Sequence, residues 1–154
     1  MSASLPDEIF GFLLSKDFLA PGEKVFGEPL TGGVSSDIWR VETSKGTVVV
    51  KRALARLKVK QVWEAPVERN RFERMWLEEA NAIVPGVAPK ILAADDAGLF
   101  AMEYLGTAPV WKAELRDRQV DVAFAAEVGR RLAQIHAATA GRPDIAARFA
   151  TDAN

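Results

Sequence analysis

The 154-residue sequence contains no cysteine and a single histidine, His136. The first absence excludes disulfide bonds, thiolate metal sites and cysteine nucleophiles. One histidine without cysteine makes a poor metal site, and nothing in the chain forms a convincing Ser/His/Asp set. We therefore interpret His136 as a helix packing residue. The lack of cysteine is compatible with a reducing cytoplasm, which is where we expect the protein to reside.

Long apolar runs and a strong net charge are also missing. The 20 Lys and Arg residues against 21 Asp and Glu residues give a net charge of -1, which provides no overall attraction to nucleic acid or an anionic membrane. No apolar run approaches the roughly 18 residues that a membrane span needs, and the N-terminus is acidic where a signal peptide would be basic. Because 49% hydrophobic and 27% charged residues are an ordinary globular composition, we expect a soluble, folded protein.

Hydrophobic periodicity and turn residues predict an α+β chain. Residues 53–68 show little periodicity, so we expect a loop or a short helix there, and their basic residues indicate a solvated linker or, alternatively, a nucleic-acid patch. The N-terminal helix is interpreted as a packing appendage. The predicted elements are a helix at 6–19, strands at 25–30, 37–43 and 47–53, a helix at 68–84, strands at 88–93 and 99–105, a linker at 106–109 and a helix at 119–139.

Two of the predicted helices carry an apolar stripe. The four tryptophans are expected in the core or an interface rather than in a stacking ladder. The stripe of the helix at 68–84 comprises Phe72, Trp76, Leu77, Ala80, Ile83 and Val84. The stripe of the helix at 119–139 comprises Val122, Ala126, Gly129, Leu132, Ala133, His136 and Ala137. The tryptophans are Trp39, Trp63, Trp76 and Trp111.

A Gly/Ser-rich turn at 31–36, with the sequence TGGVSS, separates the first two predicted strands. Gly32 and Gly33 allow a close approach of the backbone to a ligand, and Ser35 and Ser36 add hydroxyl donors beside the backbone amides. Such a turn is compatible with phosphate binding. A plain hairpin turn is the alternative interpretation.

Lys51 ends the apolar strand at 47–53 and shares a strand face with Val49, because side chains alternate with period two. A charge in that position has a desolvation cost unless an anion meets it, so lysine and turn together indicate a nucleotide triphosphate site. The alternative is an edge lysine whose ammonium reaches solvent. In the helix that follows, Glu73 lies in line with the apolar face and is predicted to pair with Lys51. Glu78 and Glu79 point away, as in surface salt bridges.

With these features in this order, the chain resembles the aminoglycoside phosphotransferase and small-molecule kinase family over roughly residues 24–139. The segments that carry the resemblance are 30–41 (LTGGVSSDIWRV), 49–51 (VVK), 87–92 (VAPKIL), 101–106 (AMEYLG) and 128–136 (VGRRLAQIH). The resemblance implies a protein-kinase-like N-lobe, built as a five-stranded antiparallel sheet plus one helix. It also implies three parts: an N-terminal helical extension at 1–22, the nucleotide-binding lobe at 23–105, and a hinge with the first helix of a truncated C-lobe at 106–154.

The resemblance also implies roles for individual residues. Lys51 would bind the α and β phosphates of ATP, and Val49 would cover the adenine. At the hinge between the lobes, the Glu103 carbonyl and the Leu105 amide would hydrogen-bond the base, with Met102 behind it. The alternative for this segment is simply the end of a core strand.

The His-Gly-Asp-type catalytic loop of that family, its following Asn and its magnesium-chelating Asp have no counterpart in the sequence. Asp144 has no Gly before it, and Phe149 stands where the Asn would be needed. Asp152 and Asn154 have the wrong spacing. We therefore expect that the sequence stops inside the C-lobe, that no catalytic residue lies in this chain, that the Mg²⁺ ligands lie outside it, and that the isolated chain is inactive. The last helix would then leave its apolar stripe uncovered, which favours self-association.

Three functions remain open at this point. The first is the ATP-binding lobe of a kinase that phosphorylates a hydroxyl of an aminoglycoside-, sugar- or amino-alcohol-like acceptor, which the missing C-lobe would mainly bind. The second is a non-catalytic nucleotide-sensing or partner-binding module of the same fold. The third is an unrelated α+β binding protein. Nucleic acid and membranes are not expected as partners.

Overall fold

The computed structural model describes residues 3–30, 33–106 and 108–150. Its elements are β1 (Ala3–Ser4), α1 (Asp7–Ser15), β2 (Phe26–Pro29), β3 (Ser36–Thr43), β4 (Gly46–Ala53), α2 (Arg69–Ile83), β5 (Ile91–Ala94), β6 (Leu99–Glu103), α3 (Trp111–Arg116), α4 (Val122–Thr139) and α5 (Pro143–Arg148).

The strands form one antiparallel sheet of six strands in the order β1-β2-β3-β4-β6-β5, which confirms the predicted mixed α+β class. The predicted strand number of five was too low, because β1 adds to the edge of β2 with Ala3 opposite Gly27. Two residues are too few to show a periodic pattern. Gly27 permits the approach, since a Cβ there would collide with Leu5 Cδ2.

One face of the sheet and α1 enclose the main hydrophobic core. Ile9 and Leu13, one helical turn apart on α1, are both completely buried. The helix is therefore part of the core of the sheet, and the interpretation as an appendage was wrong. The buried members of this core are Leu5, Ile9, Phe12, Leu13, Leu19, Val41, Val48, Val50, Leu99 and Ala101.

The buried side of α2 differs from the predicted stripe. Trp76 is 48% exposed, whereas Met75 and Asn70 are buried. Asn70 tolerates burial because its Nδ2 donates to the Gly98 carbonyl at 2.9 Å. Hydrophobicity alone assigns an asparagine to the solvent side, so the sequence pattern missed this contact.

Chain contacts group the molecule into two compact units, Met1–Glu78 with Pro89–Tyr104 and Glu79–Ala88 with Leu105–Asn154. The first unit contains the sheet, α1 and most of α2. The second contains the end of α2, α3, α4 and α5. The division into an N-terminal extension at 1–22, a nucleotide-binding lobe at 23–105 and a hinge with the start of a C-lobe at 106–154 stays a prediction. None of the helices in the described ranges combines the length and apolar character that crossing a membrane requires.

Among the residues of α4, which belongs to the second unit, Ile135 alone is buried, and it packs with Ala80 and Val84. The predicted stripe is exposed, with Leu132 at 46%, and His136 is exposed as well, so its interpretation as a packing residue was wrong. The short helices α3 and α5 were not predicted, since six residues are too few for a clear periodicity.

Candidate functional site

The face of the sheet opposite the main core carries the candidate site. On β4, Val48 and Val50 belong to the core, so the alternation of strand side chains places Val49 and Lys51 on the other face. The register with β6 sets Met102 beside Val49. Lys51 in turn lies beside the buried Phe100. The result is an apolar patch that ends at one ammonium group, with Val49 5% and Phe100 1% exposed.

Glu73 on α2 holds this ammonium. Lys51 Nζ donates to Glu73 Oε1 at 2.5 Å and to Oε2 at 2.6 Å. The lysine side chain is 13% exposed and the glutamate side chain is 44% exposed, so the pair lies at the edge of the solvent rather than in the core. An ammonium has three N–H donors. Within the described part of the chain Glu73 occupies two of them, which leaves one for an anionic oxygen.

The other acidic residues of α2 have different partners. Glu78 binds Arg74 at 2.9 Å, four residues earlier on the same helix. Glu79 binds Arg148 at 2.7 Å. As expected from the helical angles, these two form salt bridges away from Lys51.

The Gly/Ser turn leads into β3 next to the end of β4. Gly32 lies outside the described residues. A Cβ on Gly33 would lie 3.2 Å from the Ser36 carbonyl oxygen, a tight contact that favours glycine there. Ser36 itself is 5% exposed and opens β3 opposite Ala53, so it is a strand residue rather than part of the turn.

The segment that follows β4 folds back onto this turn. Residues 54–66, called the basic hairpin below, run as two arms joined by a hydrogen bond of 2.9 Å from the Leu57 amide to the Trp63 carbonyl and by a bridge between Arg56 and Glu64. The Lys58 amide donates to the Val34 carbonyl at 2.8 Å. The short-helix alternative for this region was therefore wrong. The basic side chains of Arg56, Lys58 and Lys60 are exposed, as the solvated-linker interpretation expected, while tertiary contacts to the turn order the backbone.

Asp37 anchors two of the basic side chains. Its carboxylate, 16% exposed, accepts hydrogen bonds from Arg52 Nη2 at 2.6 Å and from Lys58 Nζ at 2.5 Å, and Arg52 also binds Glu8. Burial would raise the pKa of Asp37, but the hydrogen bonds from Lys58 and Arg52 outweigh burial and hold this pKa below 3.8. The network ties the start of β3 to the basic hairpin.

Replacing Asp37 with Asn should lower the free energy of unfolding at pH 7 by about 1–2 kcal/mol, because it removes the anion of a partly buried, hydrogen-bonded network. A carboxyl whose folded-state pKa is depressed stabilises above its unfolded pKa near 4, and this contribution disappears as the pH falls through the folded value. Urea unfolding at pH 7 and pH 3 measures the effect. The deficit of Asp37→Asn should shrink at pH 3, and an equal deficit at both pH values would contradict the account.

The expected hinge residues fall in both units. Met102 and Glu103 end β6, where the Glu103 amide donates to the Lys90 carbonyl at 2.9 Å and the Glu103 Oε1 accepts from the Lys90 amide at 3.0 Å. These bonds hold the strand end in place. Leu105 belongs to the second unit, where it is 62% exposed. Their contacts with a base stay a prediction.

Sequence reasoning missed one basic residue at the start of α2. The guanidinium of Arg69 donates to the carbonyl oxygens of Ser35, Leu54, Ala65 and Pro66. An arginine in the first turn of a helix is unfavourable for the helix dipole, and this conflict was the available signal. Carbonyl oxygens from outside the helix compensate for it.

The donor set fits a polyphosphate, since an ammonium at the edge of the solvent keeps a donor beside an apolar face. It does not by itself make a metal site. Within residues 3–30, 33–106 and 108–150, no group of three or more His, Cys, Asp or Glu residues is placed to hold a metal ion.

A comparison with family models matches residues 27–153 to the family described as the phosphotransferase enzyme family. The matched range starts in β2 and includes β4 and α2, and thus both Lys51 and Glu73. A search of curated proteins finds no match.

Proposed function

The chain belongs to the phosphotransferase enzyme family, and on that premise we propose that it is the ATP-binding lobe of a small-molecule kinase. ATP would supply the γ-phosphoryl group for transfer to a hydroxyl of an aminoglycoside-, sugar- or amino-alcohol-like acceptor. The single observation that supports the proposal is the hydrogen-bonded pair of Lys51 and Glu73 at the edge of an apolar sheet face. An ammonium held in this way can meet phosphate oxygens without losing its position.

Each residue contributes through its placement. Lys51 would neutralise phosphate oxygens, and Glu73 would keep the ammonium aimed at them. Val49 and Met102, paired across β4 and β6, would offer apolar contact to the adenine ring. The Gly/Ser turn beside the end of β4 would supply backbone amides to the phosphates.

A series of nucleotides tests the proposal on the unmodified chain. Binding should strengthen from adenosine through AMP to ADP and ATP, because each phosphate added towards Lys51 gains a charge-assisted interaction. We expect ATP to bind at least about tenfold more tightly than adenosine, given that charged hydrogen bonds contribute about 1.5–3 kcal/mol. Calorimetric titration measures all four affinities. Equal affinities would contradict a phosphate site, and binding of adenosine alone would restrict the site to the base.

We propose further that the 154-residue chain binds nucleotide without turning it over, because its sequence contains no His-Gly-Asp-type loop and phosphoryl transfer needs a carboxylate that orients the acceptor and ligands for the metal. Incubation with radiolabelled ATP, Mg²⁺ and a panel of amino sugars should yield no labelled product. A phosphorylated acceptor above the buffer background would overturn this part of the proposal.

A further inference from the structure

We propose that Arg69 is a positioning residue that aligns the backbone of the Gly/Ser turn with the phosphate-facing ammonium of Lys51. The inference rests on the proposed nucleotide function. Arg69 lies in the first compact unit, as Lys51 and Glu73 do, but it is not a member of their ion pair.

The guanidinium of Arg69 joins three parts of the chain. Its Nη2 donates to the Ser35 carbonyl in the turn and, at 2.6 Å, to the Leu54 carbonyl just after β4. Its Nη1 donates to the carbonyls of Ala65 at 2.9 Å and Pro66 at 2.7 Å, in the returning arm of the basic hairpin. One rigid, planar group thereby sets the distance between the turn, the hairpin and α2.

Two backbone hydrogen bonds also hold the turn, and together with the guanidinium contacts of Arg69 they are called the clamp below. The Ser35 carbonyl also accepts from the Leu54 amide at 3.0 Å, and the Val34 carbonyl accepts from the Lys58 amide. The engaged carbonyls of Val34 and Ser35 fix the planes of their two peptide groups, and these planes decide where the amides of Ser35 and Ser36 point. Arg69 thus acts on the turn that would bind phosphate without contacting the phosphate itself.

Helix α2 couples this clamp to Lys51. Arg69 and Glu73 are four residues apart, so they lie on the same side of the helix, one turn from each other. A displacement of α2 that breaks the pair of Lys51 and Glu73 would also pull Arg69 from the Ser35 carbonyl. The helix therefore positions the ammonium and the turn together.

Lysine cannot replace arginine in this role. Its single nitrogen has three donors at one point, whereas the guanidinium distributes its donors over two nitrogens that face two pairs of carbonyls. Arg69→Lys keeps the positive charge but loses the two separate nitrogens that donate to the two pairs of carbonyls. Arg71→Lys is the matched control, because Arg71 is an exposed residue of the same helix.

The test compares ATP and adenosine binding by calorimetry in the wild type, Arg69→Lys and Arg71→Lys. We expect Arg69→Lys to weaken ATP binding about tenfold and adenosine binding by less than about twofold, because only the phosphates meet the turn. Arg71→Lys should resemble the wild type. Equal weakening for both ligands would show a merely structural role, and unchanged ATP affinity would remove any role; either result overturns the inference.

Hydrogen exchange in the absence of nucleotide provides a second readout. The amides of Leu54 and Lys58 should exchange about tenfold faster in Arg69→Lys, while the amide of Val50 in the middle of β4 keeps its wild-type rate. Unchanged exchange at Leu54 and Lys58 would refute the clamp whatever the nucleotide data show. Loss of ATP affinity in Lys51→Ala but not in Arg69→Lys would overturn the inference alone, whereas a wild type that binds no ATP would overturn the proposed function with it.

Discussion

Replacing Lys51 with alanine should weaken ATP binding by about tenfold to a hundredfold, the range that corresponds to the 1.5–3 kcal/mol of a hydrogen bond to a charged group. The ammonium is the cationic group that β4 and Glu73 present at the edge of the apolar face, and its side chain is only 13% exposed. An alanine leaves the phosphates without this charge. Calorimetric titration of both proteins with ATP measures the loss.

The effect should be specific to position 51. Lys45→Ala is the matched control, since it removes the same charge from an exposed lysine in the turn that precedes β4. We expect Lys45→Ala to change ATP affinity by less than about twofold, because an exposed charge roughly 20 Å along the strand is screened by salt. If both variants lost affinity equally, the attraction would be a general effect of net charge.

Measuring the stability of Lys51→Ala shows whether a loss of ATP binding reflects the binding site or an unfolded protein. Glu73 is 44% exposed, so solvent hydrates its carboxylate once Lys51 is gone. The free energy of unfolding of Lys51→Ala should therefore fall only by about 1–2 kcal/mol, since no buried charge is left unpaired. A variant that keeps its fold and loses ATP identifies Lys51 as a ligand-binding residue.

Replacing Leu13 with alanine should lower the free energy of unfolding by about 2–5 kcal/mol, the usual range when a fully buried leucine is truncated. Leu13 has no exposed surface and packs in the core shared by α1 and the sheet. The expected loss of stability is large because α1 is part of the core. A helix that was only appended to the domain would tolerate the same change. Urea unfolding followed by circular dichroism measures it.

The neighbouring residue supplies the control. Leu14 is 38% exposed, so Leu14→Ala removes the same atoms from a position that water already reaches. Its cost should stay below about 1 kcal/mol. Similar losses for the two variants would mean that α1 does not bury its Leu13 face as described.

The sequence predicted the parts of the site that follow from strict periodicity. Strand alternation placed Lys51 on one face with Val49, and helical geometry selected Glu73 over Glu78, whose partner is Arg74. These are local rules applied to long, regular elements. The structure brings the two charged residues together as those rules require.

Contacts between segments without a periodic pattern were beyond the sequence. Residues 3–4 extend the sheet through pairing with β2, which no local signal marks. The basic hairpin at 54–66 is held by backbone bonds to the turn and by Asp37, contacts that its lack of periodicity did not indicate. On α4, tertiary packing buries Ile135 rather than the predicted stripe. In each case the partner is distant in the sequence.

The most direct test of the account asks which lysine meets the phosphates. An acyl-phosphate derivative of ATP transfers its acyl group to a lysine amine beside the phosphates, and mass spectrometry of the digested protein then identifies the acylated residue. The account predicts acylation of Lys51 that excess ATP suppresses and that adenosine does not. Acylation confined to other lysines, or acylation of Lys51 that ATP leaves unchanged, would contradict it.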